Sequence, residues 1–177
     1  MKQRTYRYDA FISYARHDGK IDNRVATLVN LLKEKVLMLG ASDFNVFLDI
    51  EGIPVGEAFN YVILQALKES QILISIITES YLRSKYCQLE FNEFRKFMEN
   101  DQQRKIIPVL WNDNGIYTCV NTNFYKDLFK LNILSFTEPH PVRKEINKRP
   151  IPEEAEKALA ILAATIRSIL CAPEKNA

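Results

Sequence analysis

The chain has 177 residues, of which 47% are apolar, and 24 basic against 22 acidic side chains leave a formal charge of +2. An apolar share of that size excludes a disordered tract and supplies a core that needs neither disulfides nor metal. The balance of charge excludes the strong basic field of a nucleic-acid or anionic-membrane binder, so neither is expected as a direct partner.

Along the chain, Tyr8 to Ser13 predicts a short buried strand, closed by the polar run Arg16-His17-Asp18-Gly19. Ile21, Val25, Leu28, Val29, Leu32, Val36 and Leu39 then recur at the spacing of an amphipathic helix, with Gly40 as its stop. Phe44 to Asp49 predicts a second strand, and Phe59, Val62, Ile63, Ala66 and Leu67 the inner face of a second helix. The run Ile72-Leu73-Ile74-Ser75-Ile76-Ile77 lacks polar alternation, the mark of a strand covered on both faces in the middle of a parallel sheet. A helix carrying Glu90 follows, then a fourth strand over Ile106 to Leu110, where Pro108, without an amide hydrogen, suggests a place towards an edge. Asn112 to Asn123 reads as irregular and leads through Phe124 to Lys130 into a short strand, Leu131 to Phe136. A last helix is expected from Glu153, with Ala155, Leu159, Leu162, Ile166 and Ile169 inward, ending before Pro173.

Strands alternating with helices argue for a flavodoxin-like α/β fold: about five parallel strands in one sheet, helices on both faces, right-handed crossovers. The expected layout is a core domain over residues 1–137, a proline-rich connector over 138–152, a helix over 153–172 completing the domain, and a tail over 173–177. A chain so built also suits the amino-terminal part of a longer protein with a sensor domain beyond residue 177. Ligands of such sheets bind at the carboxyl ends of the strands, where the loops after Ser13, Asp49 and Ile77 converge.

Three cysteines, Cys87, Cys119 and Cys171, form no CxxC pair and leave an odd count, which fits a reducing compartment and makes the cytoplasm the expected location. The segment Met1 to Asp9 lacks the apolar centre of a signal peptide, and no apolar run reaches the roughly 18 residues of a membrane span.

The segment Ser84-Lys85-Tyr86-Cys87-Gln88-Leu89-Glu90-Phe91 sets a carboxylate among apolar residues at the start of a helix. Tyr86 and Glu90, four residues apart, share one face, and Cys87, Phe91, Phe94 and Met98 mark the buried stripe beside it, so Glu90 borders a pocket wall. A cysteine on that stripe is usually a packed hydrophobe; a Cys/His nucleophile pair is the alternative. No G-x-G-x-x-G, G-x-x-x-x-G-K-[ST] or H-E-x-x-H occurs, and His17 and His140 have no cysteine at ligand spacing, so neither a metal nor a resident cofactor is expected.

Two further signatures precede that segment: Tyr8-Asp9-Ala10-Phe11-Ile12-Ser13-Tyr14-Ala15, and Phe47-Leu48-Asp49-Ile50-Glu51-Gly52-Ile53-Pro54-Val55-Gly56. In this order the three resemble the Toll/interleukin-receptor (TIR) domain family of the bacterial NAD-cleaving type, over roughly residues 6 to 137. The resemblance implies an NAD+ glycohydrolase or ADP-ribosyl cyclase with NAD+ as substrate rather than cofactor, and Glu90 as its catalytic residue. Phe11, Ser13, Tyr14 and Ala15 match the segment that lines the family's pocket, and Tyr86 and Cys87 flank the glutamate, with Tyr86 where bacterial members often have Trp. Arg16 suits the NAD phosphates or ribose, or pairs with Asp18 in a solvated loop. Asp49 either orients the loop after it or touches the substrate. Residues 50–59, with Gly56, correspond to the family's BB loop, through which self-association is expected to complete the pocket. The implied role is an effector or signal generator in bacterial antiphage immunity, with a sensor domain or partner protein as a further expected partner. The alternative is a non-catalytic TIR adaptor acting by homotypic assembly. A response-regulator phosphoacceptor would need an acidic cluster after the first strand and an aspartate ending the third, where Ser13 and Ile77 stand.

Cleaving the bond from ribose to nicotinamide needs little machinery. The pyridinium already carries positive charge and departs neutral, so no general acid is required. One carboxylate beside the developing oxocarbenium ion supplies the missing stabilisation, whereas O-glycosidases usually need two.

Overall fold

The structure, a computed structural model, describes residues 5–16, 19–41, 43–48, 57–111, 116–119, 121–136 and 153–172. Strands β1 (Tyr8–Ser13), β2 (Val46–Leu48), β3 (Ser70–Ile77), β4 (Lys105–Leu110) and β5 (Leu134–Ser135) form one sheet in the order β2-β1-β3-β4-β5. Every neighbouring pair runs parallel, with Ser13 beside Ser75 and Ile77 beside Leu110. The helices are α1 (Gly19–Met38), α2 (Glu57–Lys68), α3 (Glu79–Arg83), α4 (Lys85–Asn100), α5 (Asn123–Leu128) and α6 (Glu153–Leu170). This is the expected flavodoxin-like α/β architecture.

Alternate strand residues feed two cores, as the period of two along a strand dictates. Ala10, Ile12, Ile72, Ile74 and Ile76 face α1 and α6, where Leu28, Leu32 and Val36 share a cluster with Leu159, Leu162 and Ile166. Phe11, Leu73 and Ile77 face the other layer and meet Ile63 and Leu67 of α2, Tyr81 of α3, Phe91 and Phe94 of α4 and Phe124 of α5. The rise of β3 into both clusters accounts for its unbroken apolar run.

Gly40 ends α1 as expected. Its φ is 88°, its amide donates to Leu37 O and the Ala41 amide donates to Val36 O, which closes the last turn in a Schellman motif. At the amino-terminal end of the sheet Arg104 is 9% exposed; its guanidinium donates to Ser70 O, Lys68 O and Asp101 and lies over Tyr6, Phe94 and Phe97.

Pro108 lies on β4, the strand next to the β5 edge of the sheet. The Trp111 amide donates to Ile77 O and the Phe136 amide to Leu110 O, so even-numbered residues of β4 face β5. β5 pairs only with Val109 and Leu110, so Pro108 lacks a donor just where the short partner has not yet begun. The two flanking strands are shorter than expected: the second reduces to Val46–Leu48 and the last to Leu134–Ser135. Residues 112–123, expected to be irregular, contain a 3-10 turn, Ile116–Cys119. Phe124 to Lys130, expected as connection, holds most of α5. The expected connector over 138–152 and tail over 173–177 lie outside the described residues.

Candidate functional site

The polypeptide enters the site twice from the carboxyl ends of β1 and β3. β1 ends at Ser13, and the chain continues through Tyr14, Ala15 and Arg16. After β3, Thr78 caps α3 by accepting from the Tyr81 amide at 3.1 Å. Six residues later Ser84 ends that helix and starts the next: its amide donates to Tyr81 O, and its Oγ accepts from the Cys87 amide at 3.3 Å. Two consecutive caps, a side-chain amide bond from Gln88 to Leu82 O, and the buried stripe Cys87, Phe91 and Phe94 hold α4 at a fixed angle over the sheet. Glu90 is thereby aimed back at the end of β1.

Between these segments lies a cavity of about 410 Å³, within the usual range of small-molecule sites. Phe11 forms part of its floor, 1% exposed and stacked on Phe47 at 5.2 Å. Tyr14, Ala15 and Arg16 border one side, and Tyr86, Cys87 and Glu90 the other. Tyr86 is 58% exposed and presents its ring at the mouth. Ser13 is buried just behind this wall, and its Oγ donates to Glu90 Oε2 at 2.5 Å. The structure thus brings Phe11, Ser13, Tyr14, Ala15, Arg16, Tyr86, Cys87 and Glu90 together at the carboxyl rim. Asp49 and Gly56 lie outside the described residues.

Glu90 keeps some surface at the cavity, but its carboxyl is enclosed by protein. Burial pushes its pKa up from 4.5 to about 7, against the opposing pull of the Ser13 hydrogen bond and the Arg16 guanidinium. Cys87 is pushed up to about 12 by burial and by the adjacent Glu90 charge, so its thiol stays protonated and serves as wall rather than nucleophile. Tyr81, fully buried, is raised well above its ordinary value by burial first and then by Cys87. Its hydroxyl lies 3.2 Å from Ser13 Oγ.

Tyr81, Ser80, Arg83, Ser84 and Lys85 belong to this site and were not singled out from the sequence. A helix of five residues is too short to show a period, so α3 left no pattern; the paired signals Thr78-x-x-Tyr81 and Ser84-x-x-Cys87, each a cap three residues before an apolar position, were the available clue. Arg83 is braced by Glu79 through Nε at 3.1 Å and Nη2 at 2.9 Å. Lys85 makes no hydrogen bond or ion pair with a described residue. With Arg16 these put three cations around the mouth, suited to an anionic group lying outside the cavity. Among the described residues no three His, Cys, Asp or Glu side chains converge as metal ligands, and no helix is long and apolar enough to cross a membrane.

A relative from Methanobrevibacter olleyae, named probable 2′ cyclic ADP-D-ribose synthase TcpO, is 27% identical over 103 residues. The match takes 58% of this chain but 27% of that protein, so the chain spans about a quarter of that relative's length. Similar solved structures include the TIR domains of the activated Roq1 resistosome recognising the pathogen effector XopQ, at 18% identity over 92% of this chain and 84% of that one with a TM-score of 0.46. The TIR domain of the Toll-related receptor TRR-2 from Hydra magnipapillata is similar at 19% identity, over 70% of this chain and 96% of that one, with a TM-score of 0.39. The TIR domain family model matches residues 10–138, well over half of the sequence, and the chain belongs to that family.

Proposed function

We propose that this chain is a TIR-domain NAD+ nucleosidase that breaks the bond between ribose and nicotinamide, with Glu90 as its catalytic residue. The observation that carries this reading is a single enclosed carboxylate, fixed by Ser13 and facing a cavity of small-molecule size with cations at its mouth. In the reaction the C1′–N1 bond breaks and its electron pair returns to the pyridinium nitrogen, leaving neutral nicotinamide and an oxocarbenium ion. Ionised Glu90 stabilises that cation. Water then captures it, with loss of a proton, to give ADP-ribose; attack by a hydroxyl of the same molecule gives a cyclic product instead. Similarity to the Methanobrevibacter relative, named as a cyclic ADP-D-ribose synthase, supports the cyclic outcome. Nicotinamide and its ribose occupy the cavity, and the pyrophosphate meets Arg16, Arg83 and Lys85.

The resemblance extends the reading to an effector or signal generator in bacterial antiphage immunity, switched on by self-association. Exposed apolar side chains support assembly: Tyr61 and Val62 on α2, and Tyr86 and Leu89 on α4, the helix packed beside it. The same surface supports the second reading, a non-catalytic adaptor that assembles with its own kind. Nicotinamide release from NAD+ by concentrated or artificially clustered protein separates the two. Release by wild type, falling at least about 100-fold in folded Glu90→Gln, is the expected result; no release from assembled wild type favours the adaptor. Chromatography of the same reaction distinguishes ADP-ribose from a cyclic isomer.

A further inference from the structure

We propose that Tyr81 is a positioning residue for Glu90, acting through the Ser13 hydroxyl, so that three side chains from β1, α3 and α4 form one buried row that aims the carboxylate into the cavity in its ionised form. This rests on the reading of Glu90 as the group that faces the substrate.

Proton counting fixes the direction of the row. Ser13 has one hydroxyl proton, and its Oγ lies 2.5 Å from Glu90 Oε2 and 3.2 Å from the Tyr81 hydroxyl. An ionised carboxylate only accepts, so the Ser13 proton belongs to Glu90, and within the Tyr81–Ser13 contact the phenol is the donor. Tyr81 is a permanent donor, because burial holds it in the phenol form far beyond neutral pH. A hydroxyl that accepts one hydrogen bond becomes a better donor of the next, by roughly 10–30%. The row therefore strengthens the bond that favours ionised Glu90.

Packing alone does not require the Tyr81 oxygen. The ring is 0% exposed and stacks on Phe124 at 5.9 Å, a place phenylalanine fills equally well. A phenol buried there costs desolvation unless its hydroxyl is paired; Ser13 Oγ lies 3.2 Å away, and the Ser75 hydroxyl is its second neighbour. Among the described residues, the other charged or titratable groups around Glu90 are Arg16 beyond β1, Arg83 on α3, and Lys85, Tyr86 and Cys87 on α4. Arg16 also favours the ionised form, while Cys87 stays neutral. Ser13 is the described group that hydrogen-bonds the carboxylate from the interior.

The test is a direct titration of the Glu90 carboxyl carbon by NMR on the full chain labelled with 13C-glutamate, its signal assigned by its loss in Glu90→Gln. Tyr81→Phe is expected to raise the Glu90 midpoint by roughly half a pH unit, and Ser13→Ala by roughly one to two units. Phe124→Leu loosens the ring packing without removing a hydroxyl and should leave the midpoint in place. An unchanged midpoint in folded Tyr81→Phe, or an equal shift in Phe124→Leu, overturns the proposal. In nicotinamide release, Tyr81→Phe should lose about threefold in kcat below the wild-type midpoint with KM unchanged, and regain wild-type kcat roughly two pH units above it. A loss that persists at high pH makes the role one of packing and overturns the proposal. If wild type releases no nicotinamide, the enzyme reading fails by itself, and the carboxyl titration still decides whether the row exists.

Discussion

Glu90 faces opposing demands at the scale of one side chain. Enclosure makes its charge more effective on a neighbouring cation, yet the same enclosure lifts its pKa to about 7 and takes the charge away near neutrality. Under the proposed mechanism kcat/KM should therefore rise with pH to a plateau, with a midpoint near that of the free protein, about 7. The bound pyridinium cation favours the carboxylate, so the kcat midpoint should lie lower; pH–rate profiles of nicotinamide release measure both, and a kcat midpoint above that of kcat/KM contradicts the assignment. At the mouth the cations act on binding. Lys85→Ala is expected to raise KM for NAD+ by about 5- to 10-fold with little change in kcat, since a charge-assisted bond to phosphate is worth roughly 1–1.5 kcal/mol at an exposed site. Steady-state kinetics decides this, and an unchanged KM removes Lys85 from the phosphate contact.

Elements were legible in the sequence to the degree that they repeat. α1, α2, α4 and α6 each present several apolar positions at helical spacing, and β3 announces itself as an apolar run without polar alternation, so all five were expected within a few residues. α3 and α5 have five and six residues, shorter than two turns, and only their threonine caps mark them. Pro108 pointed towards the edge because its missing donor faces the side of β4 where the short strand β5 has not yet begun. In the site, helix geometry set Glu90 at a pocket wall with Tyr86 on its face and Cys87 on the buried stripe, and the TIR resemblance supplied their roles, whereas Tyr81 required knowing that α3 brings its hydroxyl to Ser13, a tertiary fact with no local pattern. The caps carry measurable weight. Ser84→Ala should cost about 1 kcal/mol in urea unfolding and, by loosening the first turn of α4, lower the rate as well. Gly40→Ala should also cost about 1 kcal/mol, through backbone strain at positive φ alone, because an added Cβ meets nothing within 4 Å.

For the molecule as a whole, Glu90 sets a pH dependence of stability. Its carboxyl has a pKa near 4.5 in the unfolded chain and about 7 in the fold, so below 4.5 both states hold the proton and no penalty exists. As pH rises from 4.5 to about 7 the unfolded chain releases its proton first and folding loses stability, with the full loss reached above 7. Glu90→Gln should therefore exceed wild type by on the order of 2 kcal/mol in denaturant midpoints taken above that range, with the gap closing towards pH 4.5. An equal gap at every pH would mean that the carboxyl is not the source. The three thiols divide the same body differently. Cys87 and Cys119 are buried while Cys171, past the end of α6 on the far side of the sheet from α4, is exposed. A maleimide dye offered to the folded protein should consequently tag the α6 end alone, giving a spectroscopic ruler for how copies approach one another while the Glu90 pocket stays chemically untouched.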